Sequence, residues 1–69
     1  MITLEAFLNE RVRNGKEAEK RICPERLVEL RNEWSADNSM AQYLRWFNAL
    51  QDEEKIIALG WEAQVAKEA

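Results

Sequence analysis

The chain has 69 residues, which allows one domain over 1–69, because domains usually contain at least about 50 residues. It holds no histidine and one cysteine, Cys23, so neither an intrachain disulfide nor the common zinc-binding sets can form. Its formal net charge is −3, whereas a protein that binds nucleic acid normally presents a basic face.

So short a chain needs stability from outside its own core. Below roughly 70–80 residues one hydrophobic core seldom supplies more than a few kcal/mol, and small domains add disulfides, metals or oligomerisation. Because the residue types exclude the first two, we expect the chain to associate, first of all with a second copy.

The first predicted helix begins after Thr3, which can cap a helix, with Glu5 in its first turn. Asn14 and Gly15 then predict a break or kink. One long helix through Gly15 is the alternative, at a cost of about 1 kcal/mol for the glycine. It is favoured by a seam at spacings of four and three residues, formed by Leu4, Leu8, Arg11, Gly15, Ala18 and Ile22.

Pro24 suits the first position of a second helix, where its missing N–H is harmless, and Cys23 precedes it. Leu27, Leu30 and Trp34 then repeat at helical spacing. We expect this helix to end at the polar run 35–38.

A third helix is predicted from Ser39, which forms a capping box with Gln42. Its apolar residues span roughly 160° of the helix circumference, more than one helix–helix contact requires. They are Met40, Tyr43, Leu44, Trp46, Phe47 and Leu50. Either this helix lies at the centre of the monomer, buried on both sides, or the surplus forms a dimer or partner surface.

A fourth helix is predicted from Glu53 to about Lys67, with Asp52 as its cap, although one continuous helix over 40–67 is the alternative. Small residues at Gly60 and Ala63 would let another helix approach closely. The expected fold is all-α: a compact bundle of three to four short helices, completed by homodimerisation.

The first half of the chain carries a basic stretch that offers a different function. Its members are Arg11, Arg13, Lys16, Lys20, Arg21, Arg26 and Arg31. Glutamates interleave with them, which is typical of a solvated helix face with ion pairs. A DNA-binding or transcription-modulating protein using Arg11 to Arg31 is therefore the alternative hypothesis, and nucleic acid is not an expected partner.

Catalytic and membrane signals are absent from the sequence. There is no histidine to act as a general base, and Glu53 and Glu54 point in different directions on a helix. Lys20 and Arg21 could activate the Cys23 thiol, but a small residue before a helix is the simpler interpretation. No apolar run reaches the ~18–20 residues of a membrane span. We expect no enzyme, cofactor, metal or membrane contact, and a cytoplasmic location.

Two stretches, MITLEAFLNER at residues 1–11 and WFNALQDEEK at residues 46–55, resemble in character the short helical accessory proteins made early by lambdoid bacteriophages. The resemblance is one of size and style along the chain. It implies a host-directed or regulatory binder, often a homodimer, and transfers no site residues.

The expected function is a small non-enzymatic protein–protein interaction module that associates with itself, and with a host or regulatory protein as a further candidate partner. The predicted partner-binding residues are Tyr43, Leu44, Trp46, Phe47, Leu50, Ile57 and Trp61.

Overall fold

The computed structural model describes residues 2–36 and 39–69. These residues form four helices, α1 (Leu4–Glu19), α2 (Pro24–Ser35), α3 (Met40–Asn48) and α4 (Asp52–Glu68), and no strand. The prediction of an all-α bundle of three to four helices is confirmed.

Local signals start the first three helices where the sequence predicts them, side-chain caps at α1 and α3 and a proline at α2. The Thr3 Oγ1 accepts a hydrogen bond from the Ala6 amide at 3.1 Å. At α3, the Ser39 Oγ accepts from the Gln42 amide at 3.3 Å, and the Ser39 amide donates to the Gln42 Oε1 at 3.2 Å, which completes the predicted capping box. Pro24 opens α2 directly after Cys23.

α1 runs without interruption through Gly15, so the predicted break at Asn14 and Gly15 is wrong. The reason lies in α4. A Cβ atom built on Gly15 would lie 3.0 Å from the Gly60 Cα atom, so the two backbones touch at this crossing. Packing of α1 against α4 outweighs the roughly 1 kcal/mol that a glycine costs inside a helix. The close helix approach predicted at Gly60 is confirmed.

α3 and α4 are separate helices, and the alternative of one helix over 40–67 is wrong. The chain turns after Asn48, and α4 starts at Asp52, one residue before the predicted start. The cap is Gln51 rather than Asp52: its amide donates to the Glu54 Oε1 at 3.0 Å.

The central helix is α4, and the interpretation of α3 as central is wrong. α4 contains buried residues on several sides, whereas α3 contains none. α1 packs along one side of α4, and α2 and α3 reach it through large side chains. Leu30, Leu50 and Ala58 form the core there, with Ile22, Trp34, Trp46, Phe47 and Trp61 packed against it.

Candidate protein-interaction surfaces

Two of the predicted partner-binding residues lie inside the protein. Leu50 sits in the turn before α4 and is buried with Leu30 and Ala58, and the Ile57 side chain on α4 is fully buried. Both are therefore core residues. Ile57 lies on the central helix and Leu50 in the turn that leads into it, and neither buried side chain is free to contact a partner.

Trp61 joins three helices within the chain. Its indole Nε1 donates to the Glu19 Oε1 of α1 at 2.9 Å, and its ring centroid lies 5.6 Å from that of Trp34 in α2. The Arg31 guanidinium carbon lies 4.7 Å and 5.0 Å from the centroids of these two rings. These contacts hold α1 and α2 onto α4.

The remaining predicted residues lie together on α3. With Met40, they form what we call the α3 surface: Met40, Tyr43, Leu44, Trp46 and Phe47. Met40 is 72% exposed and Leu44 is 49% exposed, while the three aromatic residues are half-buried. The Tyr43 ring centroid lies 5.5 Å from that of Trp46 and 6.3 Å from that of Phe47, so the aromatic side chains form one cluster.

A hydrogen bond ties the α3 surface to α2. The Trp46 Nε1 donates to the Glu33 Oε1 at 2.6 Å. The Tyr43 hydroxyl oxygen, in contrast, is shielded from solvent and has no hydrogen-bond partner among the described residues. α3 is thus held by the hydrogen bond of Trp46 and by the packing of Trp46 and Phe47 against the core.

An ion-pair cluster around Arg26 connects α2 to α4. The Arg26 Nε donates to the Glu54 Oε2 at 2.7 Å, and its Nη1 lies 3.1 Å from Glu29 and 3.6 Å from Glu33. The hydrogen bond from Arg26 lowers the pKa of Glu54, although the burial of that carboxylate opposes the shift. The hydrogen bond with Glu54 raises the pKa of Arg26 in turn.

Ion pairs also involve other basic side chains of the stretch Arg11 to Arg31. Arg21 lies 3.3 Å from Glu53 of α4, and Lys20 lies 3.4 Å from Glu17. Each pair places a carboxylate beside a cation that would otherwise attract phosphate. The predicted solvated face with ion pairs describes this arrangement, and the DNA-binding alternative stays a prediction.

A second apolar surface, which the sequence did not reveal, lies along the seam between α1 and α4. A groove of about 240 Å³ is lined by Phe7, Glu10, Arg11, Asn14, Ile56 and Leu59. A neighbouring depression of about 260 Å³ shares Arg11 and Leu59 with this groove and adds Leu8, Glu62, Ala63 and Ala66. We call the two together the α1–α4 groove.

Apolar side chains in the α1–α4 groove remain open to solvent. Phe7 is 40% exposed and Ile56 is 36% exposed. The Arg11 guanidinium carbon lies 4.5 Å from the Phe7 ring centroid, at cation–π distance. Phe7 and Ile56 belong to different predicted helices, so only the pairing of those helices brings them into one surface.

The remaining features concern metal ligands, membrane spans and the Cys23 thiol. Within residues 2–36 and 39–69, no three potential metal-ligating side chains cluster, and no helix is long and apolar enough to cross a membrane. Cys23 is exposed and its thiol donates to the Glu25 carboxylate. That hydrogen bond lowers the pKa of Glu25.

Neither protein-family models, curated proteins nor solved structures match this chain.

Proposed function

We propose that this chain is a non-enzymatic protein–protein interaction module that works as a homodimer and holds a second protein through the α3 surface. The observation that carries the proposal is the exposure of Met40 and Leu44 beside an aromatic cluster on a peripheral helix. Isolated exposed apolar residues are ordinary, but a contiguous apolar patch marks a binding site.

The composition of the α3 surface suits a protein partner. Aromatic residues and methionine are enriched at the centres of protein interfaces, where tryptophan and tyrosine contribute most of the affinity. The bond from Trp46 to Glu33 and the packing of Phe47 hold the helix in position before binding. Binding of a partner would then cost less conformational entropy than binding to a mobile segment would.

Self-association supplies stability that the isolated chain lacks. Few large side chains are fully buried, Leu30 and Ile57 being the main ones, and Cys23 has no intrachain cysteine with which to pair. A second copy that binds only the folded state stabilises it by mass action.

The biological setting is part of the same proposal. The likeness to bacteriophage accessory proteins supports a host or regulatory protein as the second partner. The free thiol of Cys23 is compatible with the reducing cytoplasm, where we place the protein.

The proposal is tested first by sedimentation equilibrium of the wild-type chain from micromolar to millimolar concentration. We expect a dimer, with twice the 8.1 kDa mass of the monomer. A monomer across this range would contradict the homodimer.

The role of the α3 surface is tested with Leu44→Glu, which places a charge on an exposed apolar position of α3. Asn32→Glu is the matched control, because it makes the same charge change on an exposed position of α2. Both variants are used as bait in extracts of the native host. One protein should be retained by wild type and Asn32→Glu and lost with Leu44→Glu; equal retention by all three would refute this role.

A further inference from the structure

Two charged side chains in the α1–α4 groove are partly shielded from water but unpaired. The Arg11 Nε atom has almost no solvent contact and no acceptor among the described residues. Glu62, across the seam, is half-buried, and its burial raises the pKa of its carboxyl group, an effect that the nearby Arg11 charge only partly offsets. No ion pair joins either residue to another part of the described chain.

This arrangement differs from the ion-pair cluster between α2 and α4. There the buried Glu54 carboxylate meets Arg26 at 2.7 Å, with additional carboxylates around the guanidinium. Leaving a partly buried charge without a partner is unfavourable, and the usual remedy is a paired, hydrogen-bonded group. Arg11 and Glu62 attract each other across the seam but form no direct ion pair within the described residues, so each can still take a close counter-charge from outside the chain.

We infer that a second copy of this chain covers the α1–α4 groove about a twofold axis, so that Arg11 of each copy pairs with Glu62 of the other. Phe7, Ile56 and Leu59 form the apolar centre of this interface. The inference rests on the proposed homodimer and names the surface through which the dimer forms.

Charge complementarity selects a second copy as the occupant. In a twofold dimer one patch meets itself, so the patch must carry both members of every charge pair. The groove does, with Arg11 on α1 and Glu62 on α4 beside exposed apolar side chains. A groove of one sign would repel its own copy.

The α3 surface lacks this self-complementarity. Its five side chains carry no charge, and they leave nothing to set the register of a symmetric contact. The α3 surface therefore remains free for a different protein while the groove holds the dimer together.

A charge-swap experiment tests the interface by sedimentation equilibrium, with circular dichroism as the check on helical content. Arg11→Glu alone should raise the dimer Kd by at least about tenfold, because two like-charged contacts replace two attractive ones. Glu62→Arg alone should do the same. In a one-to-one mixture, both contacts of the mixed dimer become attractive again, so dimer should return at wild-type concentrations.

Controls separate this pairing from general charge effects. Glu10 lines the same groove but is exposed, so Glu10→Arg, which makes the same charge change as Glu62→Arg, should weaken the dimer much less than Glu62→Arg does. Glu62→Gln is nearly isosteric and keeps the fold, so it should weaken the dimer even if a charge reversal impairs folding.

The outcomes distinguish the two proposals. A wild-type chain that stays monomeric overturns the homodimer itself. If the wild-type chain dimerises, but Glu62→Gln leaves its Kd unchanged and mixing the two charge-reversed variants restores no dimer, the groove is not the interface. Loss of the dimer in Leu44→Glu has the same consequence. In both cases the homodimer itself stands. If Glu10→Arg weakens the dimer as much as Glu62→Arg does, the specific Arg11–Glu62 pairing is overturned.

Discussion

The crossing of α1 and α4 sets the shape of the α1–α4 groove, and Gly60→Ala is the sharpest test of it. A Cβ atom at residue 60 would lie 2.9 Å from the Gly15 Cα atom and 3.0 Å from the Arg11 carbonyl oxygen. Both are backbone atoms, which cannot rotate away. The helices would have to separate, and the groove would widen with them.

Two opposing effects determine the size of the change. Alanine in place of glycine inside a helix stabilises by about 1 kcal/mol. Overpacking a tight contact costs about 1–3 kcal/mol, and contacts with backbone place Gly60→Ala at the upper end of that range. We expect a net destabilisation of about 1–2 kcal/mol, and a fall in Tm of roughly 5–15 °C for a domain of this size.

Gly15→Ala provides a graded comparison. Its Cβ atom would meet the Gly60 Cα atom at 3.0 Å and the Ile56 carbonyl oxygen at 3.4 Å, so the clash is milder. The order of stability should be wild type, then Gly15→Ala, then Gly60→Ala. Asn9→Ala, on an exposed position of α1, should be neutral or stabilising by a few tenths of a kcal/mol through propensity alone.

The assay is thermal and urea unfolding followed by circular dichroism at 222 nm, at one protein concentration, because association makes Tm concentration-dependent. If Gly60→Ala were as stable as wild type or more so, the helix backbones could not be in contact at this crossing.

Three further predictions concern the polar contacts between helices. Glu54→Gln should cost about 1–2 kcal/mol in urea unfolding at pH 7, less than a fully buried pair would, because the Arg26 side chain is 35% exposed and keeps Glu29. Since the folded-state pKa of Glu54 is lowered, its contribution is complete above the unfolded-state value and is lost as the pH falls through the folded-state value. Wild type should therefore begin to lose its advantage over Glu54→Gln as the pH falls below the ordinary value of about 4.5, and parallel stability curves would contradict the ion pair. Trp61→Phe keeps an aromatic ring but removes the bond to Glu19; we expect a loss of about 1 kcal/mol and faster amide exchange in α1. Trp46→Phe should instead accelerate exchange in α3, where its bond to Glu33 holds the helix, and the same exchange pattern in both variants would argue against these separate roles.

Helix starts were predictable because their causes are local. The side chains of Thr3 and Ser39 bond to amides three residues ahead, and Pro24 has a fixed φ. The continuity of α1 was not predictable in this way. Gly15 is a helix-weakening residue by itself, and only its contact with Gly60, far along the chain, explains why the helix continues.

The candidate site shows the same division. Apolar periodicity placed Leu44, Leu50 and Ile57 on helix faces, but it could not tell which face meets another helix. Tertiary packing buries Leu50 and Ile57 and leaves Leu44 exposed, because α4 rather than α3 became the central helix. The sequence did not identify Arg11 and Glu62 as neighbours, because only the packing of α1 against α4 brings them into one groove.

The sequence by itself determined the helical class and most helix ends, because capping and periodicity act between residues a few positions apart. Only the tertiary structure decided which helix is central and which apolar residues stay in water, because those outcomes depend on how closely α1 and α4 approach. That approach depends on Gly15 and Gly60 occupying the same crossing, a coincidence in space that no local pattern encodes.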